Sequence, residues 1–119
     1  MAAPNIVNVS SIYGKTMGAA IVTSAGTDII ACAADKLYKI NSIIVANVDG
    51  TNAADVTIEV SIDNGSNYFA IAKTISVPAD ATLSFLENPI YLDETDLLAV
   101  TASANSDLTY FVSYEEITD

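Results

Sequence analysis

The segment that decides the fold alternates apolar and polar residues without interruption over Val56-Thr57-Ile58-Glu59-Val60-Ser61-Ile62-Asp63. A period of two is typical of a β-strand with one buried and one solvated face, because a helix would spread these aliphatic side chains around its circumference. Asn64-Gly65 follows directly, and this pair accommodates the positive φ angles of a type I′ turn. We therefore predict a hairpin whose second strand contains Asn67-Tyr68-Phe69-Ala70-Ile71-Ala72.

The two-residue turn also predicts the register of this hairpin, since opposed side chains must share a face. The expected pairs are Val60 with Phe69 and Ile58 with Ile71 on the core face, and Glu59 with Ala70 on the solvated face.

Further short strands, each bounded by turn residues, are predicted along the rest of the chain. They cover residues 5–12, 16–23, 27–33, 37–48, 56–63, 67–77, 81–86, 97–102 and 108–115. Within the predicted strand 37–48, the segment 38–48 is apolar on both faces in its middle. This pattern predicts a central strand covered on two sides. We expect an all-β fold: a single antiparallel β-sandwich domain over residues 1–119, jelly-roll-like, with an immunoglobulin-like sandwich as the alternative.

The net charge of the chain is typical of a hydrophilic protein, whereas its mean hydropathy is typical of an apolar one. The chain has a formal net charge of -11, yet 51% of its residues are hydrophobic and its mean hydropathy is +0.40. Fifteen carboxylates against four lysines repel nucleic acids and anionic membranes, so we expect neither as a partner. The apolar surplus must be covered by a core or by neighbouring copies.

The residue inventory argues against an enzyme. There is no histidine to relay a proton or to bind a metal, and the single cysteine, Cys32, lies in an apolar run that predicts a buried thiol. The carboxylates that remain as candidates for acid–base catalysis are Asp93, Glu94 and Asp96, and the adjacent pair Glu115 and Glu116. Adjacent residues of a strand face opposite ways, so that pair cannot share a substrate. We expect no catalytic residues and no cofactor.

The loops and the tyrosines offer two candidate binding sites. Asp49-Gly50-Thr51-Asn52 with Asp55 offers oxygen ligands for Ca²⁺, but turn formation explains the same residues, and we predict no metal site. Tyr68 is expected on the solvated face beside the hairpin turn, where its ring could stack on a sugar. A carbohydrate-binding β-sandwich module is therefore the alternative function from another class of protein. Tyr110 and Tyr114 share a strand face with Leu108 and Val112, which predicts packing.

The first twelve residues carry no charged side chain and favour extended structure. As an N-terminal arm or edge strand they would leave an adhesive edge on a monomer, and adding this edge to a neighbouring subunit would cover it. The predicted interface residues are Ile6, Val7, Val9, Ile12 and Tyr13.

In several stretches the chain resembles small virion structural proteins of tailed bacteriophages, with an opening similar to that of marine, cyanophage-type members. These stretches are 2–9, 39–47, 75–83, 89–92 with Asp96-Leu97, and 113–117. The family pattern carries a glycine in the loop before the penultimate strand, where this chain has Asp93-Glu94-Thr95.

The resemblance implies a non-enzymatic β-sandwich that decorates or cements the capsid, or else a component of the tail, neck or fibre. Its partners would be the major capsid protein or other virion proteins, and its location the virion, assembled in the host cytoplasm. A cement protein needs an apolar, self-associating underside and an acidic outside. We therefore expect a homo-oligomer, with a trimer as the favoured state.

Overall fold

Two antiparallel sheets form the fold of the computed structural model, which describes Asn5, residues 7–24 and residues 27–119. Sheet A has the order β1-β9-β3-β6, with β7 also paired to β3, and sheet B has the order β2-β8-β4-β5. The strands are β1 (Ser11–Ala20), β2 (Thr27–Ala31), β3 (Lys36–Asn47), β4 (Ala54–Ser61), β5 (Phe69–Val77), β6 (Thr82–Ser84), β7 (Ile90–Leu92), β8 (Leu97–Ala102) and β9 (Leu108–Thr118). None of the described residues forms a helix, so none forms a helix able to cross a membrane.

The order of the strands is that of a jelly roll. β6 and β7 pair with successive parts of the same edge of β3, at Ala46 to Ile44 and at Ile40 to Tyr38. They are therefore two halves of one interrupted strand, and Pro89, which has no N–H to donate, lies in the interruption. With these halves counted together, each sheet has four strands, and the chain crosses repeatedly between the sheets. The predicted jelly-roll-like β-sandwich is confirmed.

The core lies between the sheets and consists of aliphatic side chains from the middle strands. Its fully buried members include Ile40, Ile43, Val45, Val56, Ile58, Leu98, Val100, Leu108 and Val112. Tyr110 and Tyr114 face the same side as Leu108 and Val112, as predicted.

The double-sided apolar character of β3 has a different cause from the one predicted. The register with β9 shifts between Ile40 and Ser42, which leaves Asn41 as a bulge. A bulge inverts the alternation of side chains, so Ile40 and Ile43 both face the core although they are three residues apart. β3 is central, as expected, but no second sheet among the described residues covers its other face, on which Ile44 and Ala46 are half-buried and only Leu37, paired with Ile117, is buried.

The predicted hairpin forms, with one error of register. Asn64 and Gly65 both take positive φ angles, of 58° and 87°, and Val60 pairs with Phe69 and Glu59 with Ala70 as expected. Ile58, however, pairs with Ala72 and not with Ile71, because irregularities in the ladder insert extra residues into β5. Ala72 is therefore the buried residue, and Ile71 is exposed. Phe69 pairs with Val60 as expected, but at the start of the edge strand β5 it is 61% exposed and does not belong to the core, so its predicted burial is wrong.

The prediction of two strands in the N-terminal region is wrong. Residues 5–12 and 16–23 were expected to form two strands, but the structure has one, β1, and in the described part of 5–12 only Ser11 and Ile12 belong to it. Gly14 and Gly18 do not interrupt this strand, since it keeps an unbroken register with β9 over its whole length. β7 was not predicted because its three residues are too few to show a period.

One bulge in β5 holds a strained residue and allows a first prediction. Thr74 takes a φ of 47°, a left-handed conformation that costs a β-branched residue about 1–2 kcal/mol. Thr74→Gly removes this cost and keeps the backbone N–H that donates to Oγ1 of Thr57 at 3.0 Å. We expect the free energy of unfolding, measured by urea denaturation, to rise by about 1 kcal/mol.

The control for this prediction is Thr82→Gly, the same change in β6 at a residue with ordinary backbone angles. It should destabilise the protein by roughly 0.5–1 kcal/mol, because glycine loses more conformational freedom on folding. Equal destabilisation by both changes would show that Thr74 is not strained.

Candidate functional site

The outer face of sheet A, the side turned away from sheet B, is open to solvent and has no charged residue in its central part. Phe111 lies there with 51% of its surface exposed, between the buried Tyr110 and Val112. A Cβ atom at Gly18 would lie 3.1 Å from the Phe111 ring, so the ring covers this glycine. The central part, which we call the uncharged face, consists of Thr16, Gly18, Ala20, Ser42, Ile44, Ala46, Thr82, Ser84, Thr109, Phe111 and Ser113.

Toward the other end of the same outer face, charged residues and exposed apolar residues are mixed. Lys39 pairs with both Glu115 and Tyr91 across the strands. Tyr91 and Ile12 are exposed, and Nδ2 of Asn41 donates to Oε2 of Glu115 at 3.1 Å. The uncharged character of the outer face is therefore confined to its central part.

A groove of about 570 Å³ lies between these two regions, over Gly14. A Cβ atom at Gly14 would meet no atom within 4 Å, so the missing side chain leaves the groove open. Ile12, Asn41 and Glu115 contribute to its walls. No sequence pattern pointed to this groove, because a glycine contributes nothing to hydrophobic periodicity.

Four of the five predicted interface residues lie in the described part of the chain, and two of these point to opposite faces of sheet A. Ile6 lies outside the described residues. Val7 is 89% exposed, Val9 is half-buried, and both precede β1. Ile12 and Tyr13 are exposed neighbours within β1, so their side chains point to opposite faces of sheet A.

Glu116 organises a cluster at one end of the sandwich. Its carboxylate accepts hydrogen bonds from Nζ of Lys36 at 3.1 Å and from Nζ of Lys15 at 3.3 Å. Burial raises the pKa of Glu116, but the hydrogen bonds from Lys36 and Lys15 outweigh burial and hold this pKa below its ordinary value. Burial, and then the charge of Glu116, raise the pKa of Tyr38 to about 12. The Tyr38 ring packs on Tyr114 with 5.5 Å between centroids.

The arrangement separates Glu115 from Glu116, as predicted. Glu116 faces the two lysines, whereas Glu115 faces Asn41 on the outer face. Neither arrangement brings two carboxylates to one substrate position.

The loop that contains Asp93, Glu94 and Asp96 uses its carboxylates to bind backbone groups. Oδ2 of Asp96 accepts from the N–H of Asp93 at 2.8 Å, and Oε2 of Glu94 accepts from the N–H of Asp35 at 2.9 Å. Burial raises the pKa of Asp96. Thr95 takes a φ of 68°, at a loop position where a glycine would be unstrained. These carboxylates hold the backbone of the loop and connect it to Asp35, the residue before β3.

Cys32 is buried beside the same loop, as predicted. Its Sγ donates to the carbonyl oxygen of Lys36 at 3.3 Å. Burial raises the pKa of this thiol to about 11, and the charges of Asp93 and Asp96 act in the same direction. The reactive thiolate is therefore scarce at neutral pH.

The candidate calcium loop is organised by its own hydrogen bonds. The Asp49 carboxylate accepts from the N–H of Thr51 at 2.9 Å and from Nδ2 of Asn52 at 3.2 Å, and these bonds lower the pKa of Asp49. Asp55 lies in β4, and its N–H bonds Oγ of Ser103. In the described part of the chain, no three His, Cys, Asp or Glu residues are placed to hold a metal ion.

Tyr68 lies across the outer face of sheet B. Its hydroxyl donates to Oδ1 of Asp28 at 2.9 Å, and this bond raises the pKa of Tyr68. The side chain is half-buried, and its hydroxyl would lie 3.6 Å from a Cβ at Gly65. This bond ties the hairpin turn to β2, the opposite edge strand of sheet B, and so gives Tyr68 a structural role.

Comparisons with known proteins identify the fold. No protein-family model matches the chain, and no curated protein matches it. The fold is similar to that of a chain from the Bacillus endospore appendages, which are described as a family of disulfide-linked pili. The TM-score is 0.55 at 17% identity, over 91% of this chain and 87% of that chain. At this identity the likeness concerns the fold alone.

Proposed function

We propose that the chain is a non-enzymatic structural protein of a bacteriophage virion that decorates the capsid as an oligomer. Its partners in this proposal are further copies of itself and the major capsid protein. The protein would be assembled in the host cytoplasm and located in the virion.

The observation that carries this proposal is the uncharged face. In a chain with a net charge of -11, a flat surface free of charge is where contact with another acidic surface meets the least repulsion. Phe111 at its centre supplies an aromatic side chain of the kind enriched in protein interfaces. The uncharged face therefore suits attachment, while the carboxylates elsewhere keep particles apart.

The chemistry of the remaining candidate sites supports a structural role. The carboxylates of Asp49, Glu94, Asp96 and Glu116 are engaged in hydrogen bonds that hold loops and strands together. In the described residues, each buried side-chain nitrogen or oxygen has a hydrogen-bond partner. These groups stabilise the sandwich and are not held free for a substrate.

A second location, in a tail, neck or fibre, has one observation in its favour. The fold is shared with a chain from pilus-forming appendages, which indicates that such a sandwich is compatible with assembly into a filament. Negative-stain electron microscopy of the purified chain distinguishes the two locations, since a fibre component is expected to form filaments and a decoration protein to attach to capsids.

The test of capsid decoration begins with tailed-phage particles purified on a density gradient from the source of this sequence. We expect mass spectrometry to find the chain in these particles and immunogold labelling to place it on capsid faces. Its absence from the particles would overturn the proposal.

Phe111→Lys provides a further prediction on the same particles. A lysine at the centre of an apolar contact must be desolvated, so we expect capsid occupancy at a fixed protein concentration to fall at least about tenfold. The matched control is Phe69→Lys, at a phenylalanine of sheet B that is 61% exposed, and it should leave occupancy unchanged. Equal loss in both variants would show that the uncharged face is not the attachment surface.

A further inference from the structure

No strand among the described residues pairs with the outer edge of β1, and this free edge differs from the other edges of the two sheets. Edges of natural sheets are protected by short strands, bulges or charged side chains. β6 and β7 have three residues each, β2 has five with an irregular register, and β5 carries the Thr74 bulge next to Lys73. β1 has ten residues with an unbroken register.

At every second residue of β1, the backbone N–H and C=O groups point away from β9, to the side where another strand could bind. The N–H of Ile21 bonds the carbonyl oxygen of Leu108 at 2.8 Å, which continues the register of Ala20 with Thr109. Because antiparallel bonding alternates along a strand, the odd-numbered residues of β1 bond β9. The N–H and C=O groups of the even-numbered residues therefore face away from the sheet. These are Ile12, Gly14, Thr16, Gly18 and Ala20.

The charge along this edge favours a second copy of the chain as the partner. Ser11–Ala20 contains no carboxylate although the protein has fifteen. Its one charge, Lys15, is paired with Glu116. Two such edges can approach without the repulsion that other surfaces of an acidic chain would produce.

We propose that two copies of the chain join by antiparallel pairing of β1 with β1 about a twofold axis at Thr16. This inference deepens the proposed function, and rests on it, by naming the contact between copies. Side chains stay on matching faces only if even residues oppose even residues. A register centred on Thr16 satisfies this and places Gly14 opposite Gly18, whereas one centred on Lys15 would oppose two like charges.

The paired edges would form about ten new backbone hydrogen bonds. They would also join two A sheets into one continuous sheet, with both uncharged faces on the same side. Such a contact closes at two copies, so the expected trimer would need a different, head-to-tail contact.

Cysteine crosslinking tests the register. In the proposed pair the two Thr16 Cα atoms lie about 5.5 Å apart, within the range of a disulfide, whereas the two Lys15 Cα atoms lie beyond about 7 Å. Under mild oxidation Thr16→Cys should therefore give a crosslinked dimer and Lys15→Cys should not. The buried Cys32 gives no crosslink in the unmodified protein, which serves as the blank.

A matched pair of variants tests the contact without crosslinking. Sedimentation of the unmodified chain should give about twice the monomer mass of 12.4 kDa. Thr16→Lys places two ammonium groups at the twofold axis and should weaken dimerisation at least about tenfold. Thr16→Val should preserve the dimer, and far-UV circular dichroism checks that both variants fold.

The outcomes separate this inference from the proposed function. A monomeric mass without Thr16→Cys crosslinking overturns β1 pairing, even if the chain is found on capsids. Crosslinking of Lys15→Cys in place of Thr16→Cys also overturns it. If the chain is monomeric and Thr16→Lys abolishes capsid binding, pairing between copies is rejected, and the loss is assigned to the uncharged face, to which Thr16 belongs.

Discussion

Asn47→Ala is expected to lower the free energy of unfolding by about 3 kcal/mol, which is a large part of the 5–15 kcal/mol typical of a domain. Asn47 is buried at the end of β3. Its Nδ2 donates to the carbonyl oxygens of Val77 at 2.9 Å and Asn52 at 3.0 Å, and its Oδ1 accepts from the N–H of Asp49 at 2.8 Å. Since Val77 belongs to β5, this one side chain connects the two sheets.

The cost arises because the alanine variant leaves one buried carbonyl group, that of Val77, and two part-buried backbone groups without their partner. A buried group left without a partner costs about 1–3 kcal/mol. Urea denaturation at neutral pH measures the effect as a lower transition midpoint. Asn52→Ala is the matched control, because this exposed side chain makes one hydrogen bond, to Asp49. A loss below about 1 kcal/mol for Asn47→Ala would show that water replaces the lost bonds.

Glu116→Gln should have the second-largest effect on stability, a loss of about 2 kcal/mol at pH 7. Glutamine keeps the shape of the side chain but leaves Lys15 and Lys36 without their shared carboxylate. The loss lies between the values for exposed and buried ion pairs because the Glu116 side chain is 13% exposed and that of Lys15 is 45% exposed. Glu115→Gln, on the outer face, should cost less than about 1 kcal/mol.

The effect of Glu116→Gln should depend on pH in a defined direction. Because the pKa of Glu116 is lower in the folded protein than its ordinary value, its stabilising contribution is present at neutral pH. This contribution is lost as the pH falls through the folded pKa. Urea denaturation of both proteins at pH 7 and near pH 3 should therefore show a smaller difference at the lower pH. A difference independent of pH would mean that packing, and not charge, explains the effect.

The fold could be predicted from local signals where turn chemistry and alternation agree. The hairpin at Asn64-Gly65 and the boundaries of β8 were predicted because each segment is short, regular and bounded by turn residues. Errors arose where the backbone adds a residue. Because of the bulge at Asn41, the sequence of β3 reads as apolar on both faces. Because of the irregularities in β5, Ala72 lies in the core where Ile71 was predicted.

Less of the candidate site than of the fold could be predicted from the sequence. Phe111 carried a usable signal, since it alternates with Tyr110 and Val112 and must face away from the core. The uncharged face as a whole carried no such signal in the sequence, because four strands that are distant in the chain form it. These strands are β1, β3, β6 and β9. The free edge of β1 also depends on long-range pairing, and the length of β1 was underestimated because Gly14 lies in the gap between the two predicted strands.

The position of β9 in the middle of sheet A has a consequence for biosynthesis. Lys15 and Glu116, which meet in the finished structure, are separated by 101 positions in the chain. Among the described strands β1 pairs only with β9, so a ribosome releases β1 long before the strand with which it pairs. Contacts of such high sequence separation close slowly, and the nascent N-terminal strand must remain unpaired until translation of β9 is complete.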